Sequence, residues 1–123
     1  MKLIVCLDEA MGMAFNRRRQ SSDKEVTKKI KELTDGVPLY INPYSSDLFP
    51  EGVCGEGDGF YFAEVDLPQK DFDEIYAFYW NRLYPSDLKF SVDLSCYDAL
   101  DTYDFAGSSH DKITFCHYRR KKQ

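Results

Sequence analysis

The residues from Leu3 to Leu7 form an uninterrupted apolar run, which ends abruptly at Asp8. An apolar run of this length without alternation is typical of a strand buried on both faces of a sheet, so it predicts the middle strand of a central sheet. The chain has 123 residues, of which 43% are hydrophobic. It is therefore predicted to form a single domain over residues 1–123 with a substantial core.

The same run is shorter than the roughly 20 apolar residues of a membrane span, and no small-residue cleavage site follows it. We therefore expect a cytoplasmic protein without a membrane partner. The cysteines contain no Cys-x-x-Cys pair, and two of them lie within apolar strand patterns. These features predict structural thiols rather than zinc ligands or disulfides, and hence no metal. The four cysteines are Cys6, Cys54, Cys96 and Cys116.

The stretch from Ser21 to Gly36 has the pattern of a capped amphipathic helix. Ser22 and Glu25 have the spacing of a capping box, and apolar residues then recur at helical spacing. Four further segments have the composition of strands, whereas the glycine-rich segment Glu51–Gly59 indicates a loop. Together they predict an α/β domain with a mixed, mainly parallel central sheet. The four segments are Val37–Asn42, Phe60–Val65, Ile75–Tyr84 and Ile113–Tyr118.

Both ends of the chain resemble dihydrofolate reductase. Lys2–Met13 followed by the predicted helix is similar to the start of that enzyme, and Asp73–Leu94 and Lys112–Arg120 are similar to its last strands. The stretch Asp93–Phe105 resembles the loop before its final strand. The resemblance implies a minimal dihydrofolate reductase-like fold.

The same resemblance implies that the reductase chemistry is missing. The carboxylate that holds the pterin aligns with Val26, and Glu25 lies one position away. Arg18-Arg19-Gln20 replaces the Trp-Pro pair, and Asn42–Ser45 replaces the phosphate clasp. Phe62–Val65 lacks the paired glycines that cradle the cofactor pyrophosphate. We therefore expect no reductase activity and no cofactor.

A second resemblance is to small bacterial proteins that are often labelled ribonuclease Z. It is carried by Asn16–Ser21, by Tyr79–Arg82 with Tyr84-Pro85, and by Phe105–His110 with Lys112–Thr114. The label implies a metallo-β-lactamase fold with a His-x-His-x-Asp-His cluster for two zinc ions. This chain has two histidines and no such cluster.

A loop of amides and guanidiniums precedes the predicted helix and forms the first candidate site. Three Arg forks beside a helix N-terminus are suited to hold phosphate or carboxylate. Alternatively, this loop is a solvated basic segment that pairs with the protein's own acidic residues, and we favour this interpretation. The loop residues are Asn16, Arg17, Arg18, Arg19 and Gln20.

Two further groups have both a chemical and a structural interpretation. Trp80–Arg82 with Tyr84 has the composition of a surface on which bases stack, although aromatic-rich strands usually belong to the core. Ser108–His110 suggests a nucleophile beside a base, although adjacent residues rarely aim at one atom and Ser108 with Asp111 more often caps a turn. We favour the structural interpretation in both cases.

The distribution of charge favours binding over catalysis. The formal net charge is −5, but residues 35–111 hold three Lys/Arg against sixteen Asp/Glu. This acidic, Tyr-rich segment includes Asp98, Asp101 and Asp104. It predicts a mimic of nucleic-acid phosphate that occupies the basic channel of a nuclease or CRISPR effector, as anti-CRISPR inhibitors of phages and mobile elements do. A solvated acidic surface without a partner is the alternative.

The competing interpretation is an enzyme that binds nucleic acid directly. In this hypothesis the chain is a metal-independent ribonuclease in which His110 or His117 acts as the general base. Arg17, Arg18 or Arg19 then stabilises the charge of the phosphorane.

Overall fold

The computed structural model describes residues 1–122, which contain ten strands, one α-helix and two 3₁₀ helices, Pro43–Asp47 and Leu94–Cys96. The strands and the helix are β1 (Lys2–Leu7), β2 (Gly12–Phe15), β3 (Arg18–Arg19), α1 (Lys24–Leu33), β4 (Leu39–Ile41), β5 (Val53–Cys54), β6 (Phe60–Ala63), β7 (Glu74–Tyr79), β8 (Leu88–Lys89), β9 (Tyr97–Phe105) and β10 (Ile113–Arg120). Seven strands form a central sheet in the order β5-β4-β6-β1-β7-β10-β9. The other three form a small sheet in the order β3-β2-β8.

β1 lies in the middle of the central sheet, as its apolar run predicts. It pairs in parallel with β6 on one side and with β7 on the other, and Leu3, Ile4 and Val5 are fully buried. β4 also runs parallel to β5 and β6, whereas β10 is antiparallel to β7 and to β9. The sheet is therefore mixed and mainly parallel, which confirms the predicted fold class.

Each face of the central sheet has its own apolar core. On one face, Val26 and Ile30 of α1 pack against a cluster that includes Ile4. On the opposite face, Val5 belongs to a second cluster with Met13 of the small sheet. The side chains of β1 alternate between the two cores because successive residues of a strand point to opposite faces.

The helix begins after Asp23 rather than after Ser22, so the predicted capping box is wrong by one residue. The Asp23 carboxylate accepts a hydrogen bond from the Glu25 N–H at 2.9 Å. A carboxylate caps well because its charge also interacts favourably with the helix dipole. The predicted apolar face is correct, with Val26 and Ile30 buried. No helix within residues 1–122 is long and apolar enough to cross a membrane.

Three predicted boundaries are wrong. The aromatic stretch Ile75–Tyr84 is not one strand, because β7 ends at Tyr79 and Asn81 has a left-handed φ of 58° that interrupts the extended backbone. The loop predicted over Glu51–Gly59 contains the short edge strand β5, which pairs with β4. The stretch Asp93–Phe105, expected to be a loop, contains the nine-residue strand β9.

β2 and β3 form a hairpin that was not predicted from the sequence. Its turn residues Asn16 and Arg17 both have positive φ, at 52° and 61°. Positive φ at both central residues is the requirement of a type I′ turn, whose twist matches that of the flanking strands. The hairpin leaves Arg17 and Arg18 exposed at its tip and brings Arg19 to a less exposed position.

Candidate functional site

The parallel strands of the central sheet all end at one edge, which we call the carboxyl edge. In open α/β sheets, ligands bind outside the carboxyl ends of the strands. The residues that follow four of these strands are polar or aromatic: Asp8 after β1, Asn42 after β4, Glu64 after β6 and Trp80 after β7. Two polar clusters lie at this edge.

The first cluster is centred on the Arg19 guanidinium. Its Nε and Nη2 donate to the Glu64 carboxylate at 2.7 and 2.9 Å, and its Nη1 and Nη2 donate to Asp47 at 2.7 and 2.8 Å. Ser45 donates to Glu64 at 2.8 Å, and the guanidinium carbon lies 4.7 Å from the centre of the Tyr44 ring. The guanidinium thus makes bidentate contacts with two carboxylates at once, the geometry in which Arg pairs most strongly.

The electrostatics of this cluster follow from burial and pairing. The Glu64 side chain is only 6% exposed, and Arg19 is 18% exposed. The hydrogen bonds from Arg19 lower the pKa of Asp47, and those contacts also raise the pKa of Arg19. Burial raises the pKa of the nearby Cys6 thiol, and the Glu64 charge raises it further. Cys6 therefore stays protonated near neutral pH and is a poor nucleophile.

The second cluster joins the N-terminus of α1 to the loop between β9 and β10. Nδ1 of His110 lies 3.0 Å from Oδ2 of Asp23, and Nε2 lies 2.9 Å from the Tyr84 hydroxyl and 3.2 Å from that of Ser21. The imidazole stacks on the Trp80 ring with a centroid distance of 4.6 Å. Both ring nitrogens are therefore engaged within the protein.

Asp23 accepts hydrogen bonds from many donors in this cluster. The backbone N–H groups of Ser108 and Ser109 donate to it at 2.9 and 2.8 Å, in addition to the contacts from Glu25 and His110. Burial alone would raise the pKa of Asp23, but these hydrogen bonds outweigh burial and hold the pKa far below its ordinary value. A Cβ at Gly107 would collide with this carboxylate, so the close approach requires glycine.

The order Ser21–His110–Asp23 has the connectivity of a nucleophile, a base and an orienting carboxylate. Two features oppose that chemistry. The His110 side chain is only 2% exposed, and the Tyr84 hydroxyl lies closer to Nε2 than Ser21 does. The neighbouring backbone N–H groups that an oxyanion needs already donate to Asp23. The cluster therefore acts as a structural clamp.

Asp8 organises the turn that follows β1. Its carboxylate accepts from the N–H groups of Gly12 at 2.7 Å and Ala10 at 2.9 Å, and from Nε2 of Gln20 at 3.0 Å. Burial opposes ionisation of Asp8, but these hydrogen bonds together with one from the Tyr84 N–H lower its pKa. Gln20 of the predicted Arg loop thus contacts a carboxylate of the protein.

The five residues of the predicted Arg loop do not converge on one point. Asn16, Arg17 and Arg18 are exposed on the hairpin, and the Asn16 N–H donates to Asp87 at 3.0 Å. Arg19 and Gln20 point to the carboxyl edge and contact acidic residues there. An anion held by three guanidiniums together does not fit this arrangement.

The residues of the predicted aromatic group do not share one surface, and the second histidine lies elsewhere in the sheet. Trp80 is buried at 3% exposure, whereas Arg82 is exposed, so they do not form one stacking surface. His117 lies on β10, where Nε2 is 2.8 Å from the Glu74 carboxylate and the ring stacks on Tyr76 at 4.2 Å. Ser108 contacts Asp23 and accepts from the Lys24 N–H rather than capping a turn with Asp111.

The three predicted aspartates lie on β9, at the end of the central sheet. Asp98 is opposite Arg119 and Asp101 is opposite His117 across the ladder with β10, whereas Asp104 is opposite Thr114. Odd-numbered residues of β10 share one face of the sheet, so Asp98 and Asp101 lie on the α1 face and Asp104 lies on the other. The irregularity between His117 and Tyr118 allows aspartates three residues apart to share a face.

An open groove of about 820 Å³ runs along α1 beside the two clusters. Its lining mixes Lys24, Lys28 and Lys31 with Glu32, Asp35 and Asp47. The lining carries charges of both signs, so the groove favours neither an anion nor a cation.

Comparison with known proteins identifies the fold. No family model and no curated protein sequence matches the chain. Among solved structures, it is similar to a dihydrofolate reductase from Enterococcus faecalis complexed with NADP(H) and RAB-propyl, with a TM-score of 0.70 and 13% identity over 98% of this chain and 96% of that one. The fold is that of dihydrofolate reductase. At this identity the likeness shows the fold alone. This is the fold that the resemblance at both ends of the chain implies.

The ribonuclease Z label gains no support. The fold is dihydrofolate reductase-like rather than metallo-β-lactamase. Residues 1–122 also contain no group of three or more His, Cys, Asp or Glu side chains arranged to hold a metal ion.

The residues at the carboxyl edge do not fit a dinucleotide cofactor. Asn42–Ser45, in the place of the phosphate clasp, begins a 3₁₀ helix whose Tyr44 hydroxyl accepts from the Arg19 N–H at 3.0 Å. In the place of the paired glycines stands Glu64, a buried carboxylate that repels a pyrophosphate and already binds Arg19. The only guanidinium in this cluster is therefore committed to protein carboxylates.

Proposed function

We propose that this protein is a non-catalytic acidic binding protein that mimics nucleic-acid phosphate. Its partner has a basic nucleic-acid channel, as nucleases and CRISPR effectors do, and the protein acts in the cytoplasm as an anti-CRISPR type inhibitor from a phage or mobile element. The observation that carries the proposal is β9, a nine-residue strand at the end of the central sheet that carries three aspartates and no Lys or Arg.

The side chains of β9 combine charge with exposed aromatic and apolar surface. Asp98, Asp101 and Asp104 are exposed, and Leu100 and Tyr103 are exposed by 48% and 41%. Carboxylates attract the Lys and Arg residues that line a nucleic-acid channel, and an exposed Tyr is a residue type enriched at protein interfaces. Both features support a docking surface for a basic protein.

The two interior clusters oppose a catalytic role for His110 and Arg19. His110 is buried with both ring nitrogens engaged, and Arg19 is bound to two carboxylates. Neither group is free for the base or charge-stabilising role that the ribonuclease hypothesis gives it. The lineage that we infer is a divergent relative of dihydrofolate reductase that kept the sheet and lost the ligand sites.

Replacing Asp98, Asp101 and Asp104 together by Asn is expected to weaken binding to a guide-loaded Cas9-type effector by about tenfold or more at 50 mM salt. Each exposed charge contributes about 1 kcal/mol or less, and 1.4 kcal/mol corresponds to a factor of ten. Wild-type binding is expected to fall steeply with salt, because the contacts are ionic. Binding is measured by displacement of labelled target DNA from the effector.

The matched control replaces the exposed Asp35, Asp58 and Asp111 by Asn, which removes the same total charge from positions outside β9. Equal weakening by both triple variants would mean that net charge rather than β9 carries binding. If the protein instead binds free RNA and cleaves it without metal, and His110→Ala abolishes cleavage, the ribonuclease hypothesis replaces the proposal.

Neither NADPH nor dihydrofolate is expected to raise the melting temperature, and no NADPH oxidation is expected. Glu64 and Asp47 place negative charge where a pyrophosphate would have to lie. A ligand present at a hundred times its dissociation constant adds about 2.7 kcal/mol to stability, so binding would raise the melting temperature by several degrees. Thermal denaturation with each ligand at millimolar concentration tests this, with a reductase of the same fold as the positive control.

A further inference from the structure

β9 is the last strand of the central sheet, and only one of its sides is paired. Its inner side forms the ladder with β10, and no strand among residues 1–122 pairs with its outer side. Such an edge presents a row of unpaired backbone N–H and C=O groups, on which another chain can add a strand. Seven successive residues, Asp98–Asp104, are exposed.

The register between β9 and β10 determines which residues of β9 have backbone groups that face the open edge. The Lys121 N–H donates to the Cys96 carbonyl on the β9 side, and the Arg120 N–H donates to the Asp73 carbonyl on the β7 side. Backbone groups alternate in direction along a strand, so the odd-numbered residues of β10 face β9. Their partners Asp101, Tyr103 and Phe105 therefore face β10. The backbone groups of Thr102 and Asp104 face the open edge.

We propose that a partner docks on this protein by adding an extended, basic segment to the outer edge of β9. The proposal rests on the proposed function and gives its mode of binding. A second copy of the chain is a poor occupant, because β9 carries three aspartates and no basic residue, and two such strands would bring like charges together. A strand with Lys or Arg at alternate positions has these side chains on one face and can place them beside Asp101 on the α1 face of the sheet.

The irregularity in β9 defines which half accepts the strand. The register shifts between the pairs at His117 and Tyr118, which leaves Leu100 as the extra residue of a bulge. Bulges interrupt strand addition, so the regular half Asp101–Phe105 is the docking segment. Tyr103 lies at its centre on the α1 face; it is 41% exposed, and Nζ of Lys29 lies 5.6 Å from the centre of its ring.

The test uses a synthetic ten-residue peptide of alternating Lys and Thr, acetylated and amidated at its ends. Its control has the same sequence with every backbone nitrogen within the peptide methylated, which keeps every charge and removes the N–H donors of both strand edges. We expect the unmodified peptide to bind at 50 mM salt and to slow amide hydrogen exchange at Thr102 and Asp104. Absence of binding, equal binding of the methylated peptide, or binding without slower exchange at these two amides overturns the proposal.

A pair of variants separates the backbone contribution from the side-chain contribution. Thr102→Pro removes an outward N–H and leaves the ladder with β10 intact, because proline is tolerated on an edge strand where the N–H faces solvent. Thr102→Val keeps the N–H and, like proline, loses the hydroxyl contact to Cys116. We expect about tenfold weaker peptide binding for proline and near wild-type binding for valine. If proline prevents folding, the exchange measurement on the wild-type protein still decides.

The same variants distinguish this inference from the proposed function. With the guide-loaded effector as partner, loss of binding in the triple Asp→Asn variant together with unchanged binding of Thr102→Pro overturns strand addition and leaves the acidic surface in place. Unchanged binding of the triple variant refutes the proposed function itself.

Discussion

Asp23→Ala is expected to destabilise the protein by about 3–5 kcal/mol. The substitution leaves the N–H groups of Ser108, Ser109 and Glu25 and the ring of His110 without their shared acceptor in a buried site. Breaking a buried charged contact by removing one partner costs this much, and loss of the helix cap is included. Domains are stable by only about 5–15 kcal/mol, so the variant is near the limit of folding. Urea denaturation at pH 7 measures the loss.

The control for this prediction is Asp35→Ala, which removes an exposed aspartate just after the same helix. It is expected to change the free energy of unfolding by less than about 0.5 kcal/mol. A loss below about 1 kcal/mol for Asp23→Ala would contradict the structural role of the clamp.

The same carboxylate gives the wild-type protein a characteristic pH dependence. The pKa of Asp23 in the folded protein lies below the value of about 4 that it has in the unfolded chain. Its contribution is therefore present above about pH 4 and disappears as the pH falls through the folded pKa. Asp8 contributes in the same direction. Asp23→Asn is expected to flatten the loss of stability in acid.

The parts of the fold that the sequence predicts are those with strong local patterns. The run Leu3–Leu7 identifies the central strand because a short apolar run without alternation suits a strand that is buried on both faces of a sheet. Val26 and Ile30 identify the buried face of α1 because they repeat at helical spacing. Each of these patterns is complete within a few residues, so the secondary structure that it predicts does not depend on contacts with distant residues.

β9 was missed because its sequence does not alternate between apolar and polar residues. An edge strand whose side chains are mostly exposed has no buried face to impose that alternation, and the bulge at Leu100 shifts the phase of the residues that follow. Its strand conformation comes from pairing with β10. The sequence pattern of this stretch therefore does not predict a strand, although Tyr97, Tyr103 and Phe105 are residue types that favour strands.

The two interior clusters were missed because their members are far apart in sequence. Asp23 and His110 are separated by 87 positions, and Arg19 and Glu64 by 45. Only the fold shows that the acidic partners of Arg19 lie at the ends of strands. One local signal was present, since Gly107 precedes Ser108 and Ser109 and marks a close approach of the backbone to another group.

Arg19→Ala is expected to destabilise the protein by about 2–4 kcal/mol, whereas Arg18→Ala is expected to change stability by less than about 0.5 kcal/mol. Arg19 is the partner of the buried Glu64, whose charge is left uncompensated when the guanidinium is removed. The contact with the more exposed Asp47 adds less, because exposed pairs contribute about 1 kcal/mol or less. Arg18 precedes it in the same hairpin strand and is exposed. Urea denaturation of both variants measures the difference.

A double-mutant cycle tests whether this loss arises from the pairing itself. Glu64→Gln removes the buried charge and keeps an acceptor for Ser45, so the double variant Arg19→Ala with Glu64→Gln should lose less stability than the sum of the single variants. The expected coupling is about 1–3 kcal/mol. Additive losses would mean that Arg19 stabilises the hairpin through its contact with the Tyr44 ring rather than through charge. Strong coupling would mean instead that the guanidinium acts by pairing with the Glu64 carboxylate, so Arg19 is not free to bind an external anion.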